Sequence, residues 1–268
     1  MSLRVLSQGV ASSVQDLGRF GFGHLGVTGS GAVDPDTSAR LNLALGNDVS
    51  CAVLESAGGL RLVAEAPVAY VRDGDIGPST VEAGGEIRLD PQPGRMWGYL
   101  AVRGGVDAPM VLGSRSADAL SGIVPLPVTD GAIIAIGEPG DRPMADVTLP
   151  MSPGTEAIRV SVGPRADWLE DGAMERLTSE TWTVEESNRV GIRLGGTPIS
   201  PSGSEQLRSE GLLAGAIQVP GSGLPLVMGR DHPTTGGYPV LAVVLADDLG
   251  RMAQLPRGSR LRFVQAPT

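Results

Sequence analysis

The sequence predicts a mainly β fold with a few short helices, folded as two β-barrel units. Short runs of β-branched and other apolar residues recur along the 268-residue chain, and 39 glycines and 21 prolines are spread between them. Many short strands separated by turn residues are typical of barrels and sandwiches. The predicted strands cover residues 60–64, 68–71, 96–102, 133–136, 158–162, 216–219, 240–245 and 260–264.

Helix signals are few. One helix is predicted to begin at Asp34, with Pro35 at its first position, and to stop at Gly46. A short helix is predicted over residues 247–252. The apolar residues of another predicted helix, which follows Pro164, are spaced by four on one face: Leu169, Ala173 and Leu177.

An internal similarity predicts two related units. Residues 109–115 resemble residues 225–231, and in both halves a Glu-Ser pair precedes an apolar strand, at 54–62 and at 185–194. We therefore expect an N-terminal unit over residues 1–150 and a C-terminal unit over 151–268. The two units can interleave, so that segments of one half belong to the other unit. The proline-rich segment 144–155 is the predicted linker.

Composition excludes several classes of protein. All 21 basic residues are arginines, so the chain has no Schiff-base lysine, no P-loop lysine and no lysine to carry biotin. A net charge of −9 and 3% aromatic residues argue against nucleic-acid binding. With two histidines, His24 and His232, and one cysteine, Cys51, we expect neither a metal site nor a disulfide.

The sequence also indicates the compartment. No apolar run approaches the ~18 residues that cross a bilayer, and the N-terminus lacks the apolar core of a signal peptide. We therefore expect a cytoplasmic protein that does not bind membranes.

The strongest candidate for a functional segment is the loop over residues 231–239, which stands between two predicted strands. Paired glycines allow close approach of a ligand to the backbone, and hydroxyl and backbone N–H groups can bind an anion. The alternative is a tight hairpin in which these residues serve only the turn. The chemistry-bearing residues of this loop are Asp231, His232, Thr234, Thr235, Gly236, Gly237 and Tyr238.

Other polar stretches are further candidates. Asp34 ends a glycine-rich loop and either forms part of an anion pocket or caps a helix. Arg115 either clamps a carboxylate or forms a surface salt bridge. Asn188 and Arg189 either hold an amide group or belong to a plain polar hairpin, while Gln218 offers both a donor and an acceptor.

Taken in order, these stretches resemble the allophanate hydrolase subunit 2 family, also called the biotin-dependent carboxyltransferase subunit family, which includes the C subunit of bacterial 5-oxoprolinase. The resemblance covers essentially the whole chain. Val33 and Val190 stand where the family more often has Met, and His232 where it more often has Arg. The stretches that carry the resemblance are 14–19 (VQDLGR), 30–34 (SGAVD), 113–116 (GSRS), 186–189 (ESNR) with Gly191 and 193–194 (RL), 218–220 (QVP), and Asp231 with 234–239 (TTGGYP).

The resemblance implies two cyclophilin-like β-barrels and a partner similar to allophanate hydrolase subunit 1 or to the B subunit of 5-oxoprolinase. It also implies a third, A-like subunit of that enzyme or a biotin carrier, with ATP or carboxybiotin supplied through these partners. The implied reaction is either the ATP-dependent opening of 5-oxoproline to glutamate or carboxyl transfer to a urea-type amide. A regulatory protein that antagonises a kinase inhibitor and, by fold analogy, a prolyl isomerase are the alternatives.

A mechanism follows as a hypothesis. Activating an amide needs a base near its N–H and donors around the developing oxyanion. We expect Asp231 to be the base or an orienting group, with donors from Thr234, Thr235 and the backbone of the two glycines that follow. The groups expected to hold the substrate are Asn188, Arg189, Gln218, Gly236, Gly237, Tyr238, Arg115 and Asp34.

Overall fold

A computed structural model describes residues 1–145, 157–203 and 207–267. The chain divides into two compact units. Two short segments of the N-terminal half, Gly21–Gly29 and Ala119–Ser121, belong to the second unit. Most of the predicted linker, 144–155, lies outside the described residues. Unit 1 comprises Met1–Phe20, Ser30–Asp118 and Gly122–Ser152, and unit 2 comprises Gly21–Gly29, Ala119–Ser121 and Pro153–Thr268.

Unit 1 is built from two antiparallel sheets, with strand orders β7-β4-β1-β9 and β2-β3-β8-β5-β6. Side chains from both sheets, such as Leu62 and Leu100, form one buried core. The elements of unit 1 are β1 (Ser2–Ser7), β2 (Ser13–Gln15), α1 (Pro35–Ala44), β3 (Val53–Ser56), β4 (Leu60–Ala64), β5 (Val68–Arg72), β6 (Ser79–Val81), β7 (Glu86–Leu89), β8 (Gly98–Val102) and β9 (Ile133–Ala135).

Helix α1 begins where the sequence predicts. The Asp34 carboxylate caps it by accepting the Thr37 backbone N–H at 3.1 Å and the Thr37 hydroxyl at 2.7 Å. Pro35 follows at the first helical position, and Gly46 ends the turn with φ +72°. Such a cap contributes about 1 kcal/mol to stability.

Unit 2 is built around one sheet with the strand order β18-β11-β12-β15-β14-β17-β10-β19. Helices α2 and α3 and the short 3₁₀ helices Gly23–Leu25 and Ala166–Trp168 also belong to this unit. The elements of unit 2 are β10 (Ile158–Val162), α2 (Ala173–Ser179), β11 (Trp182–Ser187), β12 (Gly191–Gly195), β13 (Glu210–Gly211), β14 (Ala216–Gln218), β15 (Leu226–Met228), β16 (Thr235–Gly236), β17 (Val240–Val244), α3 (Ala246–Ala253), β18 (Arg260–Leu261) and β19 (Phe263–Gln265).

The two edge strands of this sheet are nearly continuous in sequence. Only Arg262 separates β18, which pairs antiparallel with β11, from β19, which pairs parallel with β10. Because one bent segment supplies both edges, the sheet curls into a nearly closed barrel. Trp182, Leu241 and Phe263 are fully buried in its core. The predicted mainly β fold is confirmed.

The eight predicted strands are observed, with one exception that has a physical reason. The predicted strand 260–264 is divided at Arg262, because the residues on either side pair with different neighbours. The sequence similarity between the two halves does not extend to the way the corresponding strands pair. Strands β11 and β12 form an antiparallel hairpin, whereas β3 and β4 lie in different sheets.

The predicted helix after Pro164 is wrong as one continuous helix. Leu169 is extended (φ −115°, ψ 167°) after the 3₁₀ turn, and α2 starts only after Gly172, which has φ +81°. Leu169, Ala173 and Leu177 are nevertheless all buried, so their spacing reflects contact with the core rather than one helix.

Helix α3 agrees with the prediction and carries a buried carboxylate in its first turn. Asp248 accepts three hydrogen bonds from Arg159, from the backbone N–H at 2.7 Å, Nε at 3.0 Å and Nη2 at 2.8 Å. Burial alone would raise the pKa of Asp248, but the hydrogen bonds from Arg159 together with the charges of Arg251 and Arg159 outweigh it, and the pKa lies below its ordinary value. Within the described residues, no helix has the length and apolar character needed to span a membrane.

Candidate functional site

The loop over residues 231–239 begins with a buried ion pair. Arg189 donates from Nε to Asp231 Oδ2 at 2.8 Å and from Nη2 to Oδ1 at 2.9 Å. The Ala119 backbone N–H also donates to Asp231 Oδ2, at 3.2 Å. The Asp231 side chain is 0% exposed and that of Arg189 is 7% exposed. Because both carboxylate oxygens are engaged, the geometry suits an orienting group better than a free base.

The segment before Asp231 approaches the Arg189 backbone closely. The Gly229 N–H donates to the Val190 carbonyl at 2.9 Å, and the Asp231 N–H donates to the Arg189 carbonyl at the same distance. A Cβ on Gly229 would lie 2.2 Å from the Arg189 carbonyl oxygen. Only glycine therefore allows these two segments to pair at this distance.

The middle of the loop is fixed by a short ladder. Thr235–Gly236 (β16) pairs antiparallel with Glu210–Gly211 (β13), and the Thr234 carbonyl accepts the Leu212 N–H at 2.9 Å. Backbone groups of both threonines therefore take part in hydrogen bonds that hold the loop in place. The hydroxyl-bearing side chains are half-buried at Thr234 and exposed at Thr235.

Gln218 holds the end of the loop. This side chain is buried on β14, and its Nε2 donates to the Tyr238 carbonyl at 3.0 Å. A Cβ on Gly236 would lie 2.6 Å from the same Nε2, so a larger residue there would displace the Gln218 amide from its present position. The next residues continue the contact, since the Val219 N–H donates to the Pro239 carbonyl at 3.0 Å.

A cleft of about 840 Å³ opens beside this end of the loop, entirely within unit 2. Its volume falls in the range of ~300–1,000 Å³ that is typical of small-molecule sites. Two aromatic rings and several prolines supply apolar surface, and serine hydroxyls and glycine backbone supply polar groups. The lining residues are Asp167, Trp168, Pro201, Ser202, Gly203, Leu207, Ser209, Val219, Pro220, Gly221, Gly237, Tyr238 and Pro239.

The charge of the cleft is one-sided. Asp167 brings an exposed carboxylate, and no arginine or histidine is among the lining residues that the structure describes. Tyr238 is 50% exposed, so its phenol is accessible. The described walls therefore favour a neutral polar group and offer no cation to an anionic one.

Asn188 has a local role. Its Oδ1 accepts the N–H groups of Val190 and Gly191, at 2.9 and 3.0 Å, and thereby closes the β11–β12 hairpin. Asn188 is not among the described residues that line the cleft. This geometry corresponds to the polar hairpin that the sequence left open.

Asp34 and Arg115 belong to unit 1, whereas the cleft residues belong to unit 2. Besides capping α1, Asp34 pairs with Arg95 Nη2 at 2.5 Å. Arg95 Nε lies 3.5 Å from Asp73 Oδ2, and burial raises the pKa of Asp73 although Arg95 opposes that change. Arg115 lies 3.6 Å from Asp107, which is a loose ion pair. Within the described residues, no cluster of three or more His, Cys, Asp or Glu could bind a metal ion.

Comparison with known proteins identifies the family. Residues 25–265 match the family described as carboxyltransferase domain, subdomain A and B. The chain belongs to this carboxyltransferase domain family. It is 33% identical to the C subunit of 5-oxoprolinase from Escherichia coli K12, over 98% of this chain and 91% of that protein.

Solved structures agree with this assignment. The chain superposes on TTHA0988 with a TM-score of 0.87 at 29% identity, and on the urea amidolyase of K. lactis with a TM-score of 0.87 at 26% identity. The matches cover 98% and 99% of this chain, respectively. They cover only 56% of the TTHA0988 chain and 19% of the urea amidolyase chain. Both proteins therefore extend well beyond the carboxyltransferase segment shared with this chain.

Several cleft residues of this carboxyltransferase domain carry no signal in the sequence. Trp168 and Ser209 stand in ordinary turn and loop sequence, far from the loop 231–239 along the chain. The Arg189–Asp231 pair joins residues 42 positions apart, and local patterns cannot predict such a pairing. The sequence does indicate the turn role of Asn188, because Asn is a common turn residue.

Proposed function

We propose that this chain is one component of a heteromeric 5-oxoprolinase that opens 5-oxoproline to glutamate with ATP. The observation that carries the proposal is the match with the E. coli 5-oxoprolinase C subunit, which extends over 98% of this chain and 91% of that protein. In urea amidolyases the corresponding segment is a small part, 17% of the Lachancea kluyveri protein. The match over most of a 5-oxoprolinase subunit therefore favours a 5-oxoprolinase over a urea amidolyase.

The unit 2 cleft is the proposed amide site. Trp168 and Tyr238 can contact the faces of a flat ring, while the hydroxyls of Ser202 and Ser209 can reach its carbonyl oxygen or N–H. Gln218 and the Arg189–Asp231 pair act as positioning residues, because they hold the two ends of the loop that contributes Gly237 and Tyr238. A hydroxyl such as that of Ser202 or Ser209 that donates to the developing oxyanion would contribute on the order of 10²–10³ in rate.

A partner completes the site in this proposal. 5-Oxoproline carries a carboxylate, and the described cleft lining has Asp167 but no cation. The counter-charge and the ATP chemistry therefore come from other polypeptides, similar to the B and A subunits of 5-oxoprolinase. Such a chain is inert alone and active only in the complex.

The experiment is co-expression with the B-like and A-like proteins of the source organism, followed by an ATPase assay. We expect 5-oxoproline to stimulate ATP hydrolysis by the purified complex, with no activity from this chain alone. Formation of a complete complex that hydrolyses no ATP with 5-oxoproline would overturn the proposal.

Carboxyl transfer to a urea-type amide is a second candidate. The family description and the superposition on urea amidolyase favour it. Because the chain has no lysine, the biotin would have to be attached to a separate carrier. Urea-dependent loss of carboxyl from carboxybiotin, measured with the same co-expressed partners, would select this activity over 5-oxoproline opening.

A further inference from the structure

Arg165 joins three segments of unit 2 beside the cleft. Its Nε donates to both carboxylate oxygens of Glu210, at 3.1 and 3.0 Å, and its Nη2 also donates to Glu210. Its backbone N–H donates to the Val240 carbonyl at 3.2 Å. One residue therefore connects the start of the 3₁₀ helix Ala166–Trp168 with β13 and with β17, which are far apart along the chain.

Each of these three segments supplies a wall of the cleft right beside its contact with Arg165. Trp168 belongs to the 3₁₀ helix that follows this arginine. Ser209 directly precedes β13, and Pro239 directly precedes β17. The relative position of three walls therefore depends in part on the contacts of a single residue.

The backbone fixes two of these walls more firmly than the third. The segment before the 3₁₀ helix also follows β17, since the Gly163 N–H donates to the Leu241 carbonyl at 2.8 Å. The helix itself is tied to the opposite side, where the Ser202 N–H donates to the Trp168 carbonyl at 2.9 Å. Strand β13, by contrast, consists of two residues that pair with the two residues of β16. The ion pair therefore adds a side-chain constraint where the backbone ladder is shortest.

The ion pair is accessible to solvent. The side chains of Arg165 and Glu210 are each 36% exposed. Ion pairs with this exposure contribute little to the free energy of unfolding, and salt screens them. An effect of the pair on the position of β13 can therefore be measured separately from an effect on folding.

We propose that the ion pair between Arg165 and Glu210, here called the Arg165–Glu210 clamp, positions the cleft for its substrate. The clamp holds Ser209 and β13 at the distance from Trp168 that a small amide requires. Neither member of the pair is among the described lining residues, so both act through the walls and do not touch the substrate. The identity of the substrate in this inference rests on the proposed function, whereas the contacts belong to the folded chain.

Fluorescence quenching of the purified chain tests the clamp without any partner. Of the three tryptophans, Trp97 and Trp182 are 2% and 0% exposed, whereas Trp168 is half-buried at the cleft. Acrylamide therefore quenches mainly Trp168. We expect Glu210→Gln to increase the quenching, because it frees the β13 wall. Added salt should increase the quenching of the wild-type chain in the same way and leave that of the variant unchanged.

Further variants separate the clamp from a general loss of charge. Arg165→Gln should increase quenching as much as Glu210→Gln, and the double variant should add nothing, because all three remove one contact. Glu186→Gln removes an exposed ion pair on the β11–β12 hairpin, 3.2 Å from Arg193, and should leave quenching unchanged. The Tm of each variant should lie within about 3 °C of the wild-type value. Additive effects of the two clamp variants would contradict the clamp.

Kinetics of the assembled complex connect the clamp to the substrate. Arg165→Gln and Glu210→Gln should each raise the KM for 5-oxoproline about two- to fivefold, with kcat little changed. Unchanged quenching in Glu210→Gln would overturn the clamp and leave the proposed function standing. Increased quenching with an unchanged KM would overturn its role toward the substrate. A wild-type complex that hydrolyses no ATP with 5-oxoproline would overturn the proposed function, and quenching would still decide whether the clamp holds the walls.

Discussion

The Arg189–Asp231 pair makes a quantitative prediction. Replacing Asp231 with Ala leaves the Arg189 guanidinium buried without its carboxylate, because the Arg189 side chain is only 7% exposed. Removing one partner of a buried ion pair costs about 3–5 kcal/mol. For a chain of this size the Tm falls by ~2–4 °C per kcal/mol, so we expect a loss of roughly 6–20 °C. The Tm loss is measured by thermal unfolding monitored with circular dichroism.

The matched control removes both charges. In a double variant, Arg189→Met with Asp231→Leu, no unpaired charge remains, and we expect most of the lost stability to return. If Asp231 only orients the loop, this double variant retains measurable turnover in the complex. A stable double variant without any turnover would instead make Asp231 or Arg189 a chemical participant, and a Tm loss below about 3 °C for Asp231→Ala would refute the energetic reasoning.

Three further predictions concern single hydrogen-bonded or buried groups. Gln218→Leu removes the donor to the Tyr238 carbonyl, and steady-state kinetics of the complex should show KM raised about tenfold with kcat little changed. Asp248→Asn weakens the charge-assisted bonds from Arg159 and should cost about 1–3 kcal/mol in urea unfolding at pH 7. Because the folded pKa of Asp248 is lowered, its stabilisation is present above the unfolded value of 3.8 and is lost as the pH falls through the folded pKa. Asp73→Asn should stabilise the protein at pH 7, because burial raises the pKa of Asp73, and this gain should vanish in unfolding curves recorded below the unfolded pKa of 3.8.

Each of these predictions has a contrary result, and the Asp248 prediction also has a matched control. Asp247→Asn, at an 84% exposed carboxylate near the same arginine, should change stability little. An equal loss for the Asp247 and Asp248 variants would contradict the role assigned to burial. A destabilised Asp73→Asn protein at pH 7 would mean that the attraction of Arg95 exceeds the cost of burial. An unchanged KM for Gln218→Leu would separate the loop from substrate binding.

Local patterns predicted the fold class and part of its strands and helices. The strands were predictable because apolar runs between turn residues leave few alternatives, and α1 was predictable because Asp34 and Pro35 are its cap and first residue. The helix after Pro164 was wrong because periodic burial does not require a continuous helix, and Gly172 interrupts it. The predicted strand 260–264 is divided at Arg262 because its two halves pair with different neighbouring strands. The sequence of one segment does not encode which neighbours it will have.

The candidate site was predictable only in part. The loop 231–239 stood out by composition, and its end does line a cleft through Gly237 and Tyr238. Its opposite walls, including Trp168, come from segments that chain topology brings close, and no local pattern marks them. The partner of Asp231 was equally hidden, because ion pairs between residues 42 positions apart leave no mark in a single sequence.

The most direct test of the proposed amide site is the Gly237→Val variant of the assembled complex. A Cβ at Gly237 would make only ordinary contact, 3.4 Å from the Leu207 carbonyl oxygen, so the variant should fold while its side chain narrows the cleft. We expect kcat/KM for 5-oxoproline-dependent ATP hydrolysis to fall about tenfold or more with an unchanged Tm. Gly140→Val, in open space in unit 1, should have no effect. Full activity in a folded Gly237→Val complex would contradict the assignment of this cleft to the substrate.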